Sequence, residues 1–397
     1  MALSVVVPVR VRRPKARWFA LLLALTVALG LTACSDGGGG GSTRRKATPG
    51  SSSAAGQAPP APNVPVGPTA AKVGEPVVVG ELARDLNTPW GVALLPDRDA
   101  LVSSRDTGTI TRFGPGTVPP VVVGTVPGSV HRGEGGLLGL AISPKYATDH
   151  LLYAYLTTDQ DNRIVRMTYL PGQPLGPPEV LLTGIPAGTN HNGGRIAFGP
   201  DGMLYAGTGE ADQKQSAQDT SSLGGKILRL TPEGKPAPGN PFPNSPVWSL
   251  GHRNVQGLAW DSTGRLWASE FGQDTWDELN LIRSGANYGW PVVEGAGNRP
   301  EYMNPVAQWA PEDASPSGIA ILGDTVYLAA LRGERLWQTP ILGSTVGEPK
   351  AYFQGRYGRL RTVLAVGPDE LWLVTNTTDG RGTPRKGDDR ILRLVVR

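Results

Sequence analysis

The segment Gly251–Pro291 places a cation and an amide (Arg253, Asn254), a tight polar loop (Gly272–Asp274) and two adjacent carboxylates (Asp277, Glu278) within a short span. Apolar runs separate these groups and fix the distances between them, which suits a bound anion beside a hard metal ion. Arginine offers a planar, permanently charged fork for carboxylates or phosphates. Calcium takes oxygen ligands, backbone carbonyls included. The loop has no EF-hand spacing, so its residues alone fit a solvated acidic turn equally well. His191 is the one histidine set among small flexible residues, Gly188 to Gly194. An imidazole in such a setting is open to approach and is a natural general base near neutral pH. His131, His150 and His252 lack that setting and read as structural.

The elements that must position these groups are short strands. An apolar run, a Pro-Asp or Asp-Gly turn, a second run, a polar loop and a third run recur six times. The repeats begin at Trp90, Gly136, Gly194, Gly257, Gly318 and Thr362. Asp201-Gly202 between alternating apolar runs is a strong hairpin signal. Each unit can bury its faces only against neighbours, which favours radial closure. The expectation is an all-β fold, a six-bladed β-propeller of four-stranded blades. In such a ring, the loops entering the first strands and those leaving the second strands open on one rim. Glu134, Asn190, His191, Arg253, Asn254, Arg359 and Arg361 then converge on the mouth from the first set. Arg105, Glu210, Gly272, Gln273, Arg332 and Asn376 come from the second. Arg253, Arg332, Arg359 and Arg361 together ask for an anion with several carboxylates or phosphates.

The fold does not begin at the N-terminus. The basic run Arg10–Arg17, the apolar stretch Trp18–Leu31 and then Leu31-Thr-Ala-Cys34 describe an export signal whose end is similar to a bacterial lipobox. Residues 1–34 read as a lipoprotein signal peptide with Cys34 as the lipidated residue. Residues 35–73, rich in Gly, Ser, Pro and Ala, read as a flexible tether; residues 74–397 form the propeller. The chain would sit at the outer face of the bacterial cell membrane, held by its lipid alone. Cys34 is the single cysteine of the 397 residues, so no intrachain disulfide exists. The net charge of +4 resides largely in the leader and tether, and no basic patch with interleaved aromatics remains for nucleic acid. Rossmann, P-loop, HExxH and triad-ordered GxSxG patterns are absent.

The motifs GEGGLLGLAISP (Gly133–Pro144), HNGGRIAFGPDGMLY (His191–Tyr205), LGGKILRL (Leu223–Leu230) and GHRN…DELNLI…NYGWP carry a resemblance. From about Leu86 onward the chain resembles the soluble, calcium-dependent PQQ (pyrroloquinoline quinone) glucose and aldose sugar dehydrogenases. That resemblance implies oxidation of an aldose C1 hydroxyl to a lactone, with electrons passed to an external acceptor. It implies His191 as base, and Arg253, Asn254, Arg359 and Arg361 as holders of the quinone, with Arg332 in place of the family's lysine. It implies Gly272 and Gln273 as carbonyl ligands of calcium, and Glu278 and Tyr288 at a second, structural calcium. On the substrate side stand Glu134, where the glucose enzymes have Gln, Asn190, where they have Asp, and Trp309 for the aromatic wall. A binding propeller without redox chemistry is the alternative. A calcium-dependent lactonase is another, but it needs several central carboxylates, and the loops entering the first strands offer only Glu134.

Overall fold

The computed structural model describes residues 74–397. The expected signal peptide, Cys34 and the tether lie outside the described residues. Six antiparallel sheets follow one another along the chain, five of four strands and one of five. Their inner strands are Pro89–Leu94, Leu137–Ile142, Ile196–Phe198, Val255–Trp260, Pro316–Ile321 and Leu360–Ala365, which define blades 1 to 6. Each inner strand packs beside the next, and that of blade 6 returns to that of blade 1. The six-bladed propeller expected from the repeat is the observed fold. The turn at Asp201-Gly202 joins Ile196–Phe198 to Leu204–Gly207, with Gly202 at φ 74°.

Period-two alternation explains the packing, because successive side chains of a strand face opposite sides of the sheet. In Ala100–Ser104, Leu101 packs toward blade 2 while Ala100 and Val102 pack toward blade 6. In Glu370–Thr375, Leu371 and Leu373 face blade 5 while Trp372 and Val374 face blade 1. The result is six apolar clusters, one at every blade interface, closing the ring. Each large apolar side chain so buried contributes roughly 1.5–3 kcal/mol. Near the axis the backbones come too close for side chains. A Cβ on Gly91 would stand 2.5 Å from the Leu138 carbonyl oxygen, and one on Gly139 would collide with that of Gly194.

Two features of the sheets are not in the repeat. The first strand, Pro76–Ala83, is the outermost strand of blade 6 and pairs antiparallel with Ile391–Val396. Residues Glu75 and Arg397 exchange backbone hydrogen bonds at its end. In blade 5, the long strand Arg335–Leu342 pairs both with Thr345–Val346 and with Lys350–Tyr352, giving the fifth strand.

The closing strand generates a prediction. Removing residues through Ala83 leaves the Ile391–Val396 ladder open and uncovers the blade 6 to blade 1 core. The shortened chain is expected to melt at least roughly 10 °C lower than the full ring, or without a cooperative transition, as followed by far-UV circular dichroism.

Candidate active site at the channel mouth

His191 lies in the loop between Glu179–Ile185 of blade 2 and the inner strand of blade 3, in the left-handed region at φ 54°. Such a conformation is costly for a residue with a Cβ and persists where the surroundings impose it. Here its amide donates to Glu134 Oε2 at 3.0 Å, and its carbonyl accepts from the Ala211 amide at 3.1 Å. Gly209 lies so close that a Cβ there would collide with the His191 carbonyl. Imidazole Nδ1 stands 2.7 Å from Glu210 Oε1 and 3.3 Å from Asp212 Oδ1. Glu210 is fully buried. A carboxylate on Nδ1 keeps the ring proton there and leaves Nε2 with its lone pair, the arrangement of an oriented base.

The imidazole is ringed by cations. The loop after Val247–Leu250 carries Arg253 and Asn254, both buried. The Arg253 amide donates to Glu270 Oε2 at 2.8 Å, and Nη1 donates to the Gly272 carbonyl at 2.5 Å. Asn254 Oδ1 accepts the Gly193 amide at 2.9 Å, tying the Arg253 loop to the His191 loop. Arg253 Nε and Asn254 Nδ2 are buried donors without an acceptor. Arg359 holds Asp379 Oδ2 through Nε and Nη2 at 2.9 and 2.8 Å. Arg361 donates to Asn376 Oδ1 and to Gln256 Oε1, and lies 3.7 Å from the same Asp379. Burial lowers the Arg361 guanidinium to about 9 and depresses that of Arg253 as well. Burial alone would raise the Asp379 carboxyl, but Arg359 and Arg361 hold it below the usual carboxylate range. Among the described residues no carboxylate forms an ion pair with Arg253. A mouth with more buried cationic donors than acceptors fits a polyanionic ligand.

Two places fit a cation. In the loop 271–276, the amides of Gln273, Asp274, Thr275 and Trp276 all donate to Glu294 Oε1, and that of Gly272 to Asp277 Oδ1. With the amides so engaged, the loop's carbonyls are what it offers to a cation, and Gly272 already holds one in the Arg253 guanidinium. The second place is a small cavity, about 10 Å³, bordered by Glu270, Glu278 and Tyr288. Asn280 Nδ2 donates to both carboxylates, at 3.0 and 2.9 Å, and its Oδ1 is buried without a partner. Burial first, and the Glu270 charge second, push the Glu278 carboxyl well above its usual range. The Tyr288 hydroxyl is occupied by the Leu281 carbonyl and the Arg283 amide, so only its backbone is left for a metal.

Most of the expected residues meet here. Glu134, Arg359 and Arg361 border the mouth together with Trp90, Asp379 and Arg381. Asn190 hydrogen-bonds Asp212 and Arg381 at its rim. Two expectations are corrected. Leu331 borders the mouth, whereas Arg332, next on the turn after Thr325–Ala330, is exposed. Trp309 is buried in the blade 4 to blade 5 core beside Trp337, ring centres 5.8 Å apart, because its strand is the outermost of blade 4. Strand position, far from the axis, removes it from any substrate wall. Sequence reasoning missed Asp379, Arg381 and the role of Glu210. Glu210 directly follows a predicted strand, so its register could have paired it with His191. Asp379 and Arg381 sit in the long loop 376–390, which gives no periodic signal. Beside Glu134, the one acid of the loops entering the first strands, the mouth thus has Glu210, Asp212 and Asp379; Glu134 is engaged by Arg381, Glu210 and Asp212 by His191, and Asp379 by Arg359.

The buried carboxylates predict a pH and metal dependence. Burial raises Asp277 to about 6, and Glu278 is raised too. The folded chain then keeps protons that the unfolded chain has released, so stability falls as pH rises from the ordinary carboxylate range to the folded values. Calcium bound at ionised Glu278 opposes that fall. Melting temperatures measured from pH 4.5 to 8 should fall without calcium and hold with it. Glu278→Gln should shrink the fall to the part that Asp277 contributes and abolish the calcium response.

The site can be set beside known proteins. The description "Glucose / Sorbosone dehydrogenase" matches residues 86–393. A solved structure of the PQQ-bound form of an aldose sugar dehydrogenase from Streptomyces coelicolor is 58% identical, with a TM-score of 0.81, covering 83% of this chain and 100% of that one. The aldose sugar dehydrogenase of Escherichia coli strain K12 is 28% identical over 77% of this chain and 91% of its own length. Quinoprotein glucose dehydrogenase B of Acinetobacter calcoaceticus is 34% identical over 54% of this chain, which spans 52% of that relative. The propeller, its motifs and these likenesses agree, and the chain belongs to the glucose/sorbosone dehydrogenase family.

Proposed function

We propose that the chain is a quinoprotein that oxidises the C1 hydroxyl of an aldose to a lactone with PQQ and calcium in the mouth, passing electrons to an external acceptor. One observation carries the reading: an imidazole oriented by Glu210 stands beside buried donors, Arg253 Nε and Asn254 Nδ2, that lack acceptors. A tricarboxylate quinone supplies acceptors of the right charge, and the likeness to a PQQ-bound aldose sugar dehydrogenase supports that choice. When bound, the quinone would supply the acceptor for the C1 hydride and calcium would supply its polarisation, with the Gly272 and Gln273 carbonyls as the residues that would hold the metal.

The chain's own residues do the rest. Arg359 and Arg361 hold ligand carboxylates by loosening their hold on Asp379. Arg253, whose buried Nε has no partner, would hold the ligand, and the Gly272 and Gln273 carbonyls would hold the calcium. His191 Nε2 takes the hydroxyl proton of the sugar, and Glu210 keeps the resulting imidazolium in place. Glu134 and Asn190 flank His191 and offer polar atoms to neighbouring hydroxyls. Export and a lipid anchor at Cys34 complete the proposal, placing the domain at the outer face of the membrane, where an external acceptor can reach it.

Titration with PQQ, with and without calcium, should show saturable binding and a shifted quinone absorbance. Dye reduction across a panel of aldoses should then show turnover. His191→Ala is expected to keep PQQ binding while turnover falls about 10²- to 10⁴-fold. Binding without turnover of any sugar or alcohol would leave a binding propeller instead. Arg381 spans the rim to Glu134 at 2.8 Å, so Arg381→Ala should speed PQQ loading in stopped-flow absorbance.

A further inference from the structure

Arg195, just before the inner strand of blade 3, crosses the channel. Its Nε donates to the Gln256 carbonyl in blade 4 at 2.7 Å, and Nη2 to Thr362 Oγ1 in blade 6 at 3.0 Å. Its guanidinium carbon lies 4.3 Å from the centre of the Trp90 ring in blade 1. In blade 5, a Cβ on Gly318 would stand 3.2 Å from Nη2. One side chain therefore reaches four other blades. It also borders a cavity of about 270 Å³ on the far side of the channel, while Trp90 and Gln256 border the mouth.

The charge is the anomaly. Arg195 is 8% exposed, and among the described residues no carboxylate pairs with it. Burial lowers its guanidinium to about 9, and no nearby acid offsets that cost. A merely structural plug would be better served by an apolar side chain of similar length, since an unpaired buried charge is destabilising. Its contacts lead to the cradle. Arg361 lies against the same Trp90 ring, at 5.6 Å, and Gln256, whose backbone Arg195 holds, accepts Arg361 Nη1 on its side chain at 2.7 Å.

We propose that Arg195 is a positioning residue of the PQQ site: it braces Trp90 and Gln256 so that Arg361 is seated for a carboxylate, and its unpaired charge attracts the anionic quinone and stabilises the negative charge added on reduction. The proposal rests on the reading of the mouth as a PQQ site. The two effects are separable from activity, because cofactor affinity and midpoint potential are measured without sugar.

The experiment compares wild type, R195M and R195K by PQQ titration with calcium at two salt concentrations, by spectroelectrochemical midpoint potential and by melting temperature. R195M is expected to weaken PQQ binding at least about tenfold, to lower the midpoint potential, and to melt no lower than wild type. R195K should retain most of the affinity and potential. Where R195M does not fold, R195Q, which keeps a donor for the Gln256 carbonyl, makes the same comparison. Unchanged affinity and potential in R195M would overturn the proposal, as would R195K behaving like R195M. A wild type that binds no PQQ would overturn the functional reading and this proposal with it, whereas binding unaffected by R195M overturns this proposal alone.

Discussion

The pairing of Pro76–Ala83 with Ile391–Val396 is the constraint on which the rest depends. Six blades each bury one apolar cluster against the next, and the sixth cluster forms only when the ends meet in one sheet. Closure fixes the width of the channel. That width brings side chains from blades far apart in sequence within hydrogen-bonding reach, such as Arg195 and Thr362. Without it, Arg359 and Arg361 in blade 6 would have no fixed relation to His191 in blade 3.

On that frame the mouth is an electrostatic problem left partly unsolved. Arg359 has Asp379, Arg381 has Glu134 and His191 has Glu210. Among the described residues Arg253 and Arg195 form no ion pair with a carboxylate, and Arg361 has only a share of one. Folding has already borne the desolvation of these cations, so an anionic ligand meets them without that cost. The acids are placed where they orient rather than neutralise. Glu210 orients the His191 imidazole, Asp277 and Glu294 set the loop 271–276, and Asp379 sets the arginine forks.

The sequence revealed the parts that local patterning encodes. Alternating apolar runs with Gly and Asp turns showed the six inner strands, and their register predicted which loops share a rim. His191, Arg253 and Arg359 followed from that register together with the resemblance. Long-range pairing was not legible. Nothing local in PVVVGELA names Ile391–Val396 as its partner. Arg332 and Leu331 differ by one position on a turn, a distinction that alternation cannot resolve. The resemblance put Trp309 in the aromatic wall, and the outer strand that buries it, three residues long, is too short to show alternation. Arg195 was not singled out within its motif, and became visible only when five blades were seen around it.

The closing strand also sets an order of events. While the chain is being made, Pro76–Ala83 waits for a partner roughly three hundred positions later, paired with nothing of its own. Blades 1 to 5 can form in turn, but the Arg359 and Arg361 forks and Asp379 arrive with the last segment. The mouth is therefore complete only when blade 6 is in place, and the other five blades alone hold His191 and Arg253 without the arginine forks.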